Sequence, residues 1–128
     1  AILSGAPIKV FNHGNLLRDF TYIDDIIEGV LRVIDKRAYD KEQPEARIYN
    51  IGAGHPVRLM DFISTLEEAF GKKAVLMMPM QPGDVYMTYA DTSLLEHDFG
   101  YKPIVSLQTG ILKFVDWYKA VMLNLNSL

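Results

Sequence analysis

Cysteine is absent from all 128 residues, which excludes disulfides and any thiolate metal site and fits a reducing, cytoplasmic setting. Clustered basic charge is absent as well: 13 Lys and Arg stand against 16 Asp and Glu, a formal net charge of -3. A nucleic-acid footprint needs a basic patch, so nucleic acid is not an expected partner. No apolar run approaches the roughly 20 residues of a membrane span, so no membrane contact is expected either. His13, His55 and His97 share no metal-ligand spacing, and no metal site is expected. Repeats and low-complexity tracts are missing. What remains is 49% apolar and 23% charged, enough to bury the core of one domain.

The order of elements predicts a mixed α/β fold. Ile8-Lys9-Val10-Phe11 alternates as a short strand, and Asn12-His13-Gly14-Asn15 supplies a turn. Arg18 to Ile23 reads as a further extended segment. Ile23, Ile26, Ile27, Val30, Leu31 and Ile34 recur at helical spacing, with Asp24 and Asp25 in the first turn where the dipole favours negative charge. Asp35 to Ala46 is polar, holds Pro44 and reads as a loop. Arg47 to Gly52 reads as a strand. A second helix is expected to start near Pro56, to bury Leu59, Phe62, Ile63, Leu66 and Phe70, and to end at Gly71, with His55 as a weak N-cap. Ala74 to Met80 reads as a third strand. Asp91 and Ser106 read as caps of two more helices, the first ended by Gly100. Ala1 to Gly5 reads as the last turn of a helix whose earlier turns are missing, closed by glycine. Three short strands make a poor sheet, and 47–51 needs a neighbour to pair with. The chain is therefore expected to be a fragment.

Several motifs invite chemistry. Gly52-Ala53-Gly54 follows a strand and opens a helix as a dinucleotide fingerprint does, but Val57 stands where a third small residue belongs. Lys72-Lys73-Ala74 occupies the region where an acidic ribose ligand would fall, so a simple strand-to-helix turn is the better reading. Asp24 and Asp25 point about 100 degrees apart on a helix and cannot converge on one substrate atom, so they read as helix-start carboxylates. Arg18 has two readings: a surface ion pair with neighbouring Asp19, or a guanidinium fork for a diphosphate. Asp84, in Gln81-Pro82-Gly83-Asp84, either starts a turn or holds a ribose diol from a rigid loop.

Taken in order, the blocks are more specific than any one of them. They are Ile8 to Gly14, Arg18 to Asp25, Tyr49-Asn50-Ile51-Gly52, Gln81 to Val85, Tyr89-Ala90-Asp91, Phe99 to Pro103 and Phe114 to Tyr118. This series closely resembles the C-terminal portion of the extended short-chain dehydrogenase/reductases that act on nucleotide sugars. Among these NAD-dependent epimerases and dehydratases it looks most like the UDP-glucuronate 4-epimerases. The resemblance covers essentially residues 1–128. It implies an α/β fragment: a substrate-binding C-terminal domain with one strand (48–51) and one helix (24–34) of the Rossmann sheet, the N-terminal NAD-binding part lying elsewhere. It implies that main-chain groups around Lys9 and Phe11 meet a uracil ring, with Phe11 shaping the base pocket. Arg18 would pair with the diphosphate, Gln81 would face the nucleotide, and Asp84 would hold the ribose hydroxyls. Gln81 discriminates, because relatives resembling UDP-galactose epimerase carry Arg there.

The implied reaction interconverts UDP-glucuronate and UDP-galacturonate. NAD takes a hydride from sugar C4, the 4-keto intermediate rotates, and the hydride returns to the other face. That requires a Tyr-x-x-x-Lys pair with a nearby Ser or Thr, and none of the seven Tyr here has Lys four positions on. No catalytic residue and no NAD site are therefore expected in this chain, which alone should be inactive. The resemblance implies a UDP-sugar as ligand and a homodimer or other self-association. A UDP-glucuronate decarboxylase or a dTDP-glucose 4,6-dehydratase would keep the fold and change the chemistry; Gln81 disfavours the dehydratase. A non-catalytic nucleotide-sugar-binding module is the reading from another class, and it should be monomeric and fold cooperatively by itself.

Overall fold

The structure, a computed structural model, describes residues 1–39, 47–73 and 75–123. Strand β1 (Ile8–Val10) runs parallel to β4 (Val75–Met77), with Ile8 opposite Val75 and Val10 opposite Met77. Between them in sequence lie β2 (Leu17–Arg18), α1 (Ile23–Tyr39), β3 (Val57–Arg58) and α2 (Leu59–Phe70). Helices α3 (Ser93–Phe99) and α4 (Leu107–Tyr118) follow β4, and a π-helical turn, Lys119–Leu123, continues α4. The α/β class is as expected. Among the described residues no helix is long and apolar enough to cross a membrane.

Helix ends follow local chemistry. Gly71 and Gly100 close α2 and α3 in the left-handed conformation, which costs a residue without Cβ nothing. Ser106 Oγ accepts from Thr109 N and caps α4. Asp91 Oδ1 accepts from Ser93 N at the mouth of α3, although Thr92 holds the cap position itself. Gly5, with φ +74, closes the turn at residues 2–5.

Several boundaries differ from expectation. The first strand ends at Val10, because Phe11–Gly14 wraps into a 3-10 turn in which Asn12 and His13 adopt φ +49. Asn is among the few residues that tolerate that region, and its Nδ2 donates to Asn15 O at 2.8 Å. Of the extended segment 18–23, only Arg18 joins a ladder. Helix α1 continues through residues 35–39, where a loop was expected; 40–46 lie outside the described residues. Residues 47–52 join no ladder among the described residues, and Ile48 is 89% exposed. Helix α2 starts at Leu59 rather than near Pro56. Val57 and Arg58 pair instead with β2, so Arg58 takes the cap position and His55 caps nothing. The strand expected over 74–80 narrows to Val75–Met77, with Ala74 outside the described residues.

The core joins Ile2, Val10, Leu16, Ile63, Leu95, Tyr101, Ile111 and Val115. Phe20 stacks flat on Phe62, with ring centroids 4.0 Å apart, so the segment after Arg18 turns into the protein. The apolar stripe of α1 does the reverse. Ile23, Ile27, Val30, Leu31 and Ile34 are all exposed, while the packed face carries Asp25 and Gly29. A Cβ on Gly29 would come within 3.0 Å of the Tyr101 ring, so a small residue is what lets α1 approach.

Candidate functional site

Residue 17 stands at the centre of a small three-segment sheet. On one edge β2 pairs antiparallel with β3. On the other, Leu17 N donates to Tyr86 O at 2.9 Å and Thr88 N donates back to Leu17 O at 3.2 Å. Leu59 N bonds to Leu16 O and completes the frame. These bonds carry the loop 81–85 to Arg18. The guanidinium Nη2 of Arg18 donates to Asp84 Oδ1 at 2.7 Å, across 66 residues of sequence, and Nη1 donates to Leu17 O at 2.8 Å. Both side chains are part-buried, at 19% and 29% exposure. Asp84 Oδ1 also accepts from Val85 N, and Asp84 N donates to Gln81 O, so Asp84 ends the turn 81–84 rather than starting one, and its carboxylate meets the arginine. The neighbour pairing of Arg18 with Asp19 does not occur.

Asp19 has a different set of partners, Gly54, Thr88 and Ala90. Its Oδ2 accepts from Gly54 N at 3.1 Å and from Ala90 N at 3.0 Å, while Oδ1 is buried without a partner among the described residues. Thr21 Oγ1 accepts from Ala53 N at 2.9 Å. Gly52 is pressed on the same contact, since a Cβ there would lie 2.4 Å from the Cβ of Ala90. The glycine turn 52–54 therefore spends the N–H groups of Ala53 and Gly54 on this protein's own side chains. A dinucleotide diphosphate needs such N–H groups free, so these residues do not fit NAD.

The other expected ligands are placed as follows. Lys9 is exposed in the middle of β1, opposite Leu76. Phe11 begins the turn that Met78 holds from both sides, Met78 N donating to Val10 O and His13 N to Met78 O. Gln81 is exposed, three residues beyond Met78, and its carbonyl receives Asp84 N. The structure joins Arg18 to Asp84 directly. Among the described residues no side-chain bond links Lys9, Phe11 or Gln81 to that pair. Sequence reasoning missed Asp19, Thr21 and Thr88, whose Oγ1 accepts from Asp19 N at 3.1 Å; nothing local marks which backbone such side chains will meet.

Asp24 and Asp25 stand in the first turn of α1, as the helix-start reading has them, and each also has a distant partner. Asp24 pairs with Lys113 at 3.3 Å. Asp25 is buried and accepts from Ile104 N and Val105 N, far along the chain. No group of three His, Cys, Asp or Glu is arranged for a metal among the described residues. An apolar hollow of about 300 Å³ opens among Phe20, Phe62, Leu66, Ile111 and Phe114, with no charged residue in its lining.

Asp98 anchors residues 47–49 to α3. His97 Nδ1 lies 2.8 Å from its Oδ1, while Tyr49 OH and Arg47 Nη1 donate to Oδ2 at 2.7 and 3.2 Å. The His97 contact first, then Tyr49 and the Arg47 charge, hold this carboxyl below its usual 3.8, at about 2. The anchor should be complete above about pH 4 and fade as the pH falls toward 2, where the folded chain finally takes up its proton. Acid titration of the chain beside Asp98→Asn should show their stabilities converging across that window. Curves that stay parallel there would mean the cluster contributes nothing.

Residues 1–52, including the strand, the Arg18 segment and α1, match the NAD dependent epimerase/dehydratase family. A probable UDP-glucuronate 4-epimerase of Rhizobium meliloti is 42% identical over 132 residues, covering 92% of this chain and 39% of that protein. UDP-glucuronate 4-epimerase 2 of Arabidopsis thaliana is 41% identical over 129 residues, covering 91% of this chain and 30% of its own length. The chain belongs to the NAD-dependent epimerase/dehydratase family. The crystal structure of UDP-glucuronic acid 4-epimerase from Bacillus cereus with UDP-glucuronic acid and NAD has the same fold. Its TM-score is 0.79 at 33% identity, covering 93% of this chain and 37% of that one. This family member thus spans well under half the length of the relatives it matches.

Proposed function

We propose that this chain is the C-terminal, nucleotide-sugar-binding part of a UDP-glucuronate 4-epimerase, acting with an NAD-binding part outside residues 1–128. The observation that carries the reading is the meeting of Arg18 and Asp84, a cation and a carboxylate delivered by two separate segments. The relatives named UDP-glucuronate 4-epimerase support the choice of sugar, as does the Bacillus cereus complex with UDP-glucuronic acid.

In this reading Arg18 offers its remaining N–H donors to the diphosphate, in the fork geometry that guanidinium groups present. Asp84 has one oxygen occupied by Arg18 and Val85 N, which leaves Oδ2 to accept from a ribose hydroxyl. Among the described residues strand β1 pairs on one edge only, with β4. Its open edge, with Lys9 and the Phe11 turn, offers main-chain groups to a uracil, and Gln81 lies on the loop that carries Asp84. These residues bind and orient; none of them moves a proton or a hydride.

The test is turnover by the full reading frame that contains this chain. Given NAD and UDP-glucuronate, it is expected to form UDP-galacturonate, resolved by ion-exchange chromatography. A UDP-pentose with release of CO₂ would reassign it as a decarboxylase, and a 4-keto-6-deoxy sugar from dTDP-glucose as a dehydratase. Tight UDP binding by a folded protein without any turnover would make it a binding module.

A further inference from the structure

We propose that Asp19 is the positioning residue of this site: its carboxylate staples three chain segments together and so sets the separation at which Arg18 and Asp84 meet a nucleoside diphosphate. The inference rests on the reading of Arg18 and Asp84 as ligands. Asp19 Oδ2 binds Gly54 N and Ala90 N together, and its own N–H binds Thr88 Oγ1. Residues 88–90 are thereby tied to residue 19 at two points, just beyond the bonds that join Leu17 to residues 86 and 88. The Asp84 loop is held from that end. Because residues 18 and 19 are adjacent, fixing Asp19 also restricts the backbone from which Arg18 reaches Asp84.

The carboxylate is an expensive choice for a plain structural tie. A single oxygen makes both bonds to backbone N–H, and the other is buried with no partner among the described residues, which carries a desolvation penalty. A neutral amide could supply the one accepting oxygen that is used. Hydrogen bonds to a charged acceptor are stronger than neutral ones, and a firm hold is what a two-point ligand clamp requires, because a small misplacement of either group weakens the grip. Gly52 contributes to the same device, since a side chain there would collide with Ala90.

The experiment measures UDP binding by calorimetry, KM and kcat for the UDP-sugar, and thermal melting, all on the full reading frame. Asp19→Ala is expected to raise Kd and KM roughly tenfold, with kcat within about threefold, when assayed below its melting temperature. Asp19→Asn, which keeps an oxygen for both N–H groups but not the charge, is expected to recover only part of that loss. A folded Asp19→Ala protein with a lower melting temperature but the parental Kd would reduce Asp19 to a structural tie and overturn the proposal. Should Asp19→Ala fail to fold, Thr88→Val removes one bond of the staple at an exposed position. It is expected to raise Kd about threefold, and an unchanged Kd would equally overturn the proposal. Arg18→Ala separates the two levels. If it too leaves UDP binding intact, the reading of the site fails and the role of Asp19 with it; if it weakens binding and both staple variants do not, only the role of Asp19 fails.

Discussion

Arg18→Ala is expected to weaken UDP binding by the full reading frame by about 1.5–3 kcal/mol, the scale of a hydrogen bond to a charged group, which is roughly tenfold to 150-fold in Kd. The loss has two sources. In the proposed reading the diphosphate loses a cation whose direction is already set by Leu17 O and Asp84. Asp84 in turn loses its counter-charge and faces the incoming anion with only Val85 N as donor. The two substitutions Arg18→Ala and Asp84→Ala should therefore be non-additive in a double-mutant cycle, as groups in direct contact are. Lysine at position 18 should restore charge but not the fork, and recover only part of the affinity. Calorimetry decides the matter: an Arg18→Ala protein with the parental Kd for UDP removes this residue, and the reading built on it, from the site.

Leu95→Ala is expected to cost about 2–5 kcal/mol of folding stability, the range for emptying a fully buried leucine site. Leu95 has no exposed surface, and α3 connects α1 to the Asp98 anchor on residues 47–49. Against the usual 5–15 kcal/mol of a small domain this is a large fraction. The exposed apolar stripe of α1 adds nothing to offset it. Urea unfolding followed by circular dichroism measures the loss. A shift below about 1 kcal/mol would mean that α3 does not seal the core as it does here. Because Leu95 has no part in the Arg18–Asp84 contact, the folded fraction should keep its affinity for UDP.

Helices were legible where local chemistry is decisive. The spacing of Leu59, Phe62, Ile63, Leu66 and Phe70 placed α2, and Gly71 ended it. The same periodicity found α1, but which of its faces packs within residues 1–128 was not legible: most of the apolar stripe is exposed there, while Gly29 and Asp25 make the contacts. Strands were the least legible. Two-residue ladders such as β2 with β3 have no periodicity to read. Asp91 and Ser106 were recognised as helix-start residues because they act within two or three positions of themselves. Asp19, acting over 35 and 71 positions, could not be recognised in that way.

Composition, the glycine ends and the identity of the two charged groups were written in the order of residues, since each depends on a few neighbours along the chain. That Arg18 turns from Asp19 to Asp84, and that the 52–54 turn gives the N–H groups of Ala53 and Gly54 to Thr21 and Asp19 instead of a phosphate, was decided only by folding. Those outcomes depend on which backbone groups the β2 frame brings within about 3 Å of each carboxylate, and hydrogen-bond geometry is that short-ranged.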